Sequence, residues 1–448
     1  MNQQRALATV TQRLNDLSLS KPMGRVARVD GAVLQVRGLA PFASIGDHAI
    51  ITTRNGQRMF AEVIQLSEEA IVLLPDDGLD GVSLGDPVVL TSGGRIAPCL
   101  DWIGRLIDPN GQALDGRPLP NGLRQVPVRA HPPAAAERRG LGARLVTGYL
   151  AFDTLLPIVT GQRIGLFAGS GVGKSSLMGQ LARQVDADVV VVALIGERGR
   201  EVRHFVDHVL DEEGRARSVV IAATSDQSPL IRRRCAWTAM AVAEYFRDLG
   251  KSVLLVADSI TRFAEAHREV AIAAGEAPVL RGFPPSTAHL IMSLCERAGP
   301  GTHDQGDITA VLSVLVPGSD MEEPIADILR GVLDGHIVLD RDIAERGRFP
   351  AIDVLRSVSR SLPDAATADE NAILAEVRKH LSIYAKNEVM ISAGLYTQGA
   401  DTTIDAAIQL YPALDEALTL QHEHDVGHSF DQLRLILRRH GKDVTTRR

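Results

Sequence analysis

The sequence predicts an α/β core with a small antiparallel β-barrel before it and a helical domain after it. Three observations predict this. From about Gly161, apolar β-branched runs alternate with helical patterns, which implies a parallel sheet covered on both faces. Residues 24–90 hold short alternating segments joined by tight-turn dipeptides, the pattern of a small barrel. After about Leu362 the pattern is helical to the end.

The chain has 448 residues, enough for two or three domains. It carries 48 basic and 55 acidic residues, a net charge of −7, so nothing electrostatic argues for a nucleic-acid partner. Cys99, Cys235 and Cys295 show no paired spacing and read as buried thiols in a reducing cytosol, not as a disulfide or zinc framework. The start MNQQRALATV lacks the basic-then-apolar layout of a signal peptide. The run Val189 to Ile195 is too short to span a bilayer. A cytoplasmic chain with at most peripheral membrane association is expected.

Within residues 1–20, Leu7, Val10, Leu14 and Leu17 make one apolar helical stripe. It suits packing on its own domain or docking to a partner. In the barrel region, GRVARV-DG-AVLQV predicts a two-residue turn at Asp30-Gly31, and HAIITTR-NG-QRMFAEV repeats the device at Asn55-Gly56. EEAIVLLP follows as a strand, and Ser92 to Arg95 marks a boundary. Residues 127–140, rich in Pro and small side chains, read as loop. RIGLFAG, DVVVVALI, SVVIAAT, VLLVAD and ITAVLSVLV read as strands; SSLMGQLARQV, EVRHFVDHVL and PLIRRRCAWTAMAVAEYFRDLG read as helices. The expected units are 1–20 (helix), 21–94 (barrel), 95–362 (α/β domain) and 363–448 (helical domain).

The strongest chemical signal is Ala168 to Ser176, AGSGVGKSS, between a predicted strand and helix. Phosphate oxygens need several inward N–H donors, and glycines let the backbone approach closely. Gly169, Ser170, Gly171, Val172 and Gly173 form this P-loop with Lys174, Ser175 and Ser176. Lys174 suits the β- and γ-phosphates of ATP, Ser175 suits Mg²⁺, and the following helix adds its N-terminal dipole. The loop's first position is Ala168 where the pattern has Gly. Asp258 ends the apolar run VLLVAD, where a carboxylate can hold Mg²⁺ through a water. Glu197 lies just past another strand's carboxyl end, where open α/β sheets bind ligands. It suits polarisation of an attacking water equally with a helix-starting role at a positive dipole.

GSGVGKS, GERGREV, LLVADSITRFA, RGFPPS and RFPAIDVLRSVSR, in that order, resemble the nucleotide-binding core of the rotary ATPase family. MEEPIADILRGVLDGHIVLDR is similar to the type III secretion ATPase branch, which has flagellar and injectisome members. The resemblance spans about residues 24–448. It implies a RecA-like P-loop NTPase core, ATP hydrolysis with Mg²⁺, and a ring of six copies. It implies that Glu197 activates water, that Arg198 and Arg262 stand near the phosphates, and that Arg360 is a finger entering the neighbouring subunit's site. Phe349 and Tyr396 match positions flanking adenine, although each also suits simple packing. Glu197 and Arg360 share one chain, so every interface of a homo-oligomer can hold a complete site.

The resemblance further implies a regulator bound by the N-terminal helix, an export gate, chaperones and unfolded export substrates, and a location at the inner face of the membrane. It places residues 371–390 near the ring opening, toward a central stalk protein; their spacing equally suits helical packing. Export of flagellar components is the expected role, with an injectisome as the alternative. A rotary synthase subunit fits less well, because both half-sites share a chain. An RNA translocase would want a basic, aromatic single-strand platform, whereas residues 24–90 contain only Phe42 and Phe60 as aromatics.

Overall fold

A computed structural model of the chain describes residues 21–441, apart from 92–93, 280, 317, 319 and 422–424. The expected helix over 1–20 and part of the Ser92 to Arg95 boundary lie outside the described residues.

Six strands form the barrel: β1 (Met23–Asp30), β2 (Val33–Arg37), β3 (His48–Thr52), β4 (Arg58–Leu66), β5 (Ala70–Pro75) and β6 (Pro87–Thr91). They close in the order β1-β2-β5-β4-β3-β6, with β6 back on β1. Closure leaves no free edge. Alternate residues such as Leu34, Val36, Ala49, Ile51, Ile71 and Leu73 point inward and fill it. The first turn differs from expectation. Asp30 pairs with Val33, so the turn residues are Gly31 and Ala32. Only Gly31 of these has positive φ, at 57°; a type II′ turn asks for glycine at its first central position. The second turn closes through Thr53 and Gln57, and Gly56, not Asn55, has the positive φ.

A short pair, β7 (Arg95–Ile96) with β9 (Val126–Pro127), leads toward the core. The central sheet contains β8 (Arg105–Ile107), β10 (Arg163–Ala168), β11 (Val189–Glu197), β12 (Ser218–Thr224), β13 (Val253–Asp258), β15 (Asp307–Leu315), β16 (Gly335–Leu339) and β17 (Ile352–Ser359). Their order is β17-β16-β10-β15-β13-β11-β12-β8, and β14 (Gly299–Pro300) pairs with β15. The strands from β16 to β8 are mutually parallel, whereas β17 runs antiparallel to β16. β11 shows why its sequence is an unbroken apolar run. Val191, Ala193 and Ile195 enter one core, while Val190, Val192 and Leu194 enter the other. A strand covered on both faces has no side on which a polar residue costs little.

Helices cover both faces. Ser228 caps the helix Pro229–Asp248 by accepting from Ile231 N, and Ser259 caps Ile260–Ala273 by accepting from Arg262 N. The helices Ala368–Ser392, Thr402–Ala417 and Val426–Gly441 follow β17. The first begins in a reciprocal capping box between Thr367 and Glu370. Leu374, Val377, Leu381, Leu410, Leu414 and Phe430 join the core that covers one face of the sheet. Cys235 and Cys295 are fully buried, and burial pushes the Cys295 thiol up to about 12. Cys99 is only partly buried, against the expectation of three buried thiols. No helix among the described residues is long and apolar enough to cross a membrane.

Candidate functional site

The loop after β10, the end of β11 and the end of β13 meet at the carboxyl edge of the sheet, where β15 lies between β10 and β13. This is where parallel sheets present ligand sites. Ala168 is the last residue of β10, buried and paired in register with Leu315 and Leu339. Positive φ falls on Gly171 (80°) and Gly173 (85°). The loop's glycine-requiring conformations therefore come after its first position, and alanine fits there without strain. Val172 is buried and anchors the loop to the core below, while Ser170, Ser175 and Ser176 are exposed. Gly173 caps the helix Lys174–Gln184, so that helix presents its free N–H groups at the loop.

Lys174 Nζ forms an ion pair with Asp258 Oδ1. The same oxygen accepts from Ser313 Oγ at 2.7 Å. Beside this group lies a cavity of about 100 Å³, lined by Ser175, Glu197 and Asp258 together with Glu201, His204 and Phe205. Glu197 reaches the cavity through an irregularity: the β11–β12 register shifts between Ile195 and Glu197, around Gly196 with φ 68°. Burial pushes the Glu197 carboxyl from 4.5 up to about 7, helped by the Asp258 charge and a hydrogen bond with Glu201, and opposed by Lys174. The groups facing the cavity include a hydroxyl and carboxylates, the hard oxygen donors that suit Mg²⁺.

Arg262 follows the Asp258 end of β13, and its guanidinium donates to Glu265 Oε2 at 2.8 Å. The fields of Glu197 and Asp258 both favour its charged form. Arg198 directs its exposed side chain to within 3.6 Å of Glu201. Phe349 is 50% exposed and lies against the P-loop: a Cβ on Gly173 would stand 3.3 Å from its ring. Tyr396 is held by the turn before the next helix. Its hydroxyl lies 2.9 Å from Asp405 Oδ1 and 3.0 Å from Asp401 O, at the start of the helix Thr402–Ala417.

Arg360 is not at this edge. Ser359 pairs with Gly335, whereas the P-loop end of β10 pairs with Leu339. Because β17 is antiparallel, Arg360 emerges where the parallel strands begin, about 13 Å along the strands from the P-loop. There its Nη2 donates to Arg330 O at 3.1 Å.

Sequence reasoning missed two residues that touch the cavity group. Ser313 is one of two hydroxyls, with Thr309, in the otherwise apolar run ITAVLSVLV, and a polar side chain in a fully buried strand asks for a partner that only the fold identifies. Glu201 lies four residues past Glu197 in GERGRE, on the helix Gly199–His204, and only the folded geometry shows its contact with Glu197.

Residues 148–359 match the ATP synthase alpha/beta family, nucleotide-binding domain, and residues 366–434 match the T3SS EscN ATPase C-terminal domain. The chain is 42% identical to a flagellum-specific ATP synthase of Caulobacter vibrioides, over 97% of this chain and 99% of that one. It is 45% identical to the flagellum-specific ATP synthase of Bacillus subtilis, over 89% and 91%. It is 42% identical to a type 3 secretion system ATPase of Pseudomonas syringae pv. tomato, over 92% of each. Among solved structures, the assembled ATPase EscN of the enteropathogenic E. coli type III secretion system superposes with a TM-score of 0.86 at 36% identity, covering 92% of this chain and 100% of that one. The same ATPase in complex with its central stalk EscO superposes with a TM-score of 0.84. The chain belongs to the ATP synthase alpha/beta family, in the branch formed by flagellum-specific ATP synthases and type III secretion ATPases.

Proposed function

We propose that this chain hydrolyses Mg-ATP at interfaces between copies of itself and thereby energises type III export of flagellar components. One observation carries the interface part. Lys174, Glu197 and Asp258 converge at one edge of the sheet, while Arg360 leaves the sheet at the other.

In this reading the backbone from Gly169 to Ser176 cradles the phosphates, and Lys174 moves from Asp258 toward the transferred group. Ser175 and Asp258 would hold Mg²⁺, which when bound neutralises charge on the phosphate oxygens. Glu197 accepts a proton from, or orients, the attacking water; a carboxyl near 7 is matched to that work at neutral pH. Arg198 and Arg262 stabilise phosphate charge from within the chain, and Arg360 does so from a neighbouring copy. Phe349 packs on one side of the adenine. Tyr396 packs on the other side.

The proposed domain division is 21–94, 95–362 and 363–448, with 1–20 as a docking helix for a regulator. EscN is known as an assembled ATPase and with a central stalk. By analogy, six copies of this chain form a ring, and residues 371–390 face a stalk protein. An export gate, chaperones and unfolded substrates complete the partners, at the inner face of the cell membrane. The flagellar assignment draws support from flagellum-specific relatives that align over nearly the whole chain. Deleting the gene tests it: loss of filament assembly with intact effector secretion is expected, and the reverse would move the chain to an injectisome.

A further inference from the structure

We propose that Ser313 is a positioning residue for Mg²⁺ binding, acting by fixing the rotation of the Asp258 carboxylate. The proposal rests on the assignment of Asp258 above. Ser313 belongs to β15, whose residues Ala310, Val311, Leu312 and Val314 are all buried and apolar. Its own side chain has no exposed surface. A buried hydroxyl costs free energy unless it is hydrogen-bonded, and an alanine or valine would fill this strand position more cheaply. The hydroxyl here is not spent on the backbone. It donates to Asp258 Oδ1 at 2.7 Å, across the pair β13–β15.

Asp258 Oδ1 has two partners, Lys174 and Ser313. They differ in what they do when phosphate arrives. Lys174 is the P-loop cation, and a phosphate group competes for it. Ser313 lies fully buried on the neighbouring strand, out of contact with solvent and with what enters from it, so it keeps hold of Asp258 when Lys174 turns away. A neutral hydroxyl also leaves the carboxylate its full charge, whereas a second cation would neutralise the group meant to attract Mg²⁺. Asp258 lines the cavity shared with Ser175 and Glu197, and an anchor on Oδ1 leaves its second carboxylate oxygen available to a cation there. β15 itself is pinned beside this point. Leu315 N donates to Thr261 Oγ1 at 2.9 Å, tying the strand end to the helix that begins directly after Asp258.

The test compares wild type, Ser313→Ala, Ser313→Thr and Asp258→Asn. Binding of a fluorescent ADP analogue is measured with and without Mg²⁺, alongside the Mg²⁺ concentration giving half-maximal hydrolysis. Ser313→Ala is expected to raise that concentration about tenfold, the scale of one hydrogen bond to a charged group. Its Mg-free analogue affinity stays within about twofold of wild type, and its melting temperature shows it folded. Ser313→Thr, which restores the hydroxyl, recovers most of the loss. An unchanged Mg²⁺ requirement in Ser313→Ala, or an equal loss of affinity without Mg²⁺, overturns the proposal. If Asp258→Asn also binds and uses Mg²⁺ like wild type, the error lies in the assignment of the site. If only Ser313→Ala does, the error lies in this inference alone.

Discussion

Glu197 and Arg360 lie at opposite ends of one sheet and far apart across it. Glu197 ends β11 at the carboxyl edge, while Arg360 follows β17 at the amino edge. In the order β17-β16-β10-β15-β13-β11 five strand spacings separate them, about 24 Å at the usual spacing between strands. No rotamer of Arg360 spans that gap. If both residues serve one catalytic event, two chains must meet.

Glu197→Gln separates catalysis from binding. The amide keeps the shape but cannot take a proton, so hydrolysis is expected to fall at least ~100-fold while ATP affinity changes little. Equilibrium binding beside single-turnover rates checks this, and affinity collapsing with the rate would make Glu197 structural.

The raised carboxyl gives the same variant a pH signature. Wild-type kcat should climb with pH through about 7, because the ionised form is the active one. Stability moves the other way. Between 4.5, the ordinary value, and about 7 the folded chain binds a proton that the unfolded chain has released, so this group's contribution to stability declines as pH rises through that window. Glu197→Gln removes the decline. Melting temperatures from pH 5 to 8 should then show the variant gaining on wild type as pH rises. Parallel curves would mean that Glu197 ionises in the ordinary carboxylate range.

Lys174→Ala should show no ATP turnover above background, since the P-loop loses its cation at the transferred phosphate. Asp258 keeps its Ser313 bond, so the fold should survive, and circular dichroism verifies that. Mg-dependent hydrolysis at the wild-type rate by this variant would place the active site elsewhere.

The site was legible in the sequence where its chemistry is local, and illegible where it depends on neighbours. The P-loop reads directly, because Gly171 and Gly173 carry positive φ and Lys174 starts the next helix. β11 reads directly too, since burial on both faces leaves one continuous apolar run. β8 has three residues, too few to show a period. β16 and β17 were hidden inside motifs read for their chemistry, and the antiparallel direction of β17 has no local signature. The turn at Gly31-Ala32 moved by one residue from Asp30-Gly31 because register decides which residues lie at the tip. Ser313 became meaningful only when β15 was seen beside β13.

A buried ion pair joins the barrel to the core and should dominate its docking. Arg233, on the helix Pro229–Asp248, donates from Nη2 to Glu62 Oε1 at 2.9 Å and Oε2 at 3.0 Å. Glu62→Ala strands a buried guanidinium, which costs about 3–5 kcal/mol. Replacing both partners, Glu62→Leu with Arg233→Met, should recover most of that loss. Urea denaturation of the three proteins measures it; a double variant no more stable than Glu62→Ala would show that the network's worth lies beyond this pair.

The last prediction asks which chain supplies the arginine. Arg360→Ala should lower turnover on the order of 10³-fold if the guanidinium stabilises charge on the transferred phosphoryl group. Misfolding could mimic that loss, so complementation is the sharper experiment. Mix Arg360→Ala with Glu197→Gln, each nearly inactive alone. An Arg360→Ala copy keeps a sound Glu197, and its Glu197→Gln neighbour keeps a sound Arg360. With random assembly at equal amounts, about one interface in four in a head-to-tail ring carries both. Activity should therefore return on mixing, with labelled subunits reporting exchange and dilution reversing the recovery. Were Arg360 to serve its own nucleotide, no mixture could assemble a sound site, because each chain lacks one of the two groups. Absence of recovery in rings shown to be mixed would thus count against the shared site, and against the separation of Glu197 from Arg360 having any catalytic meaning.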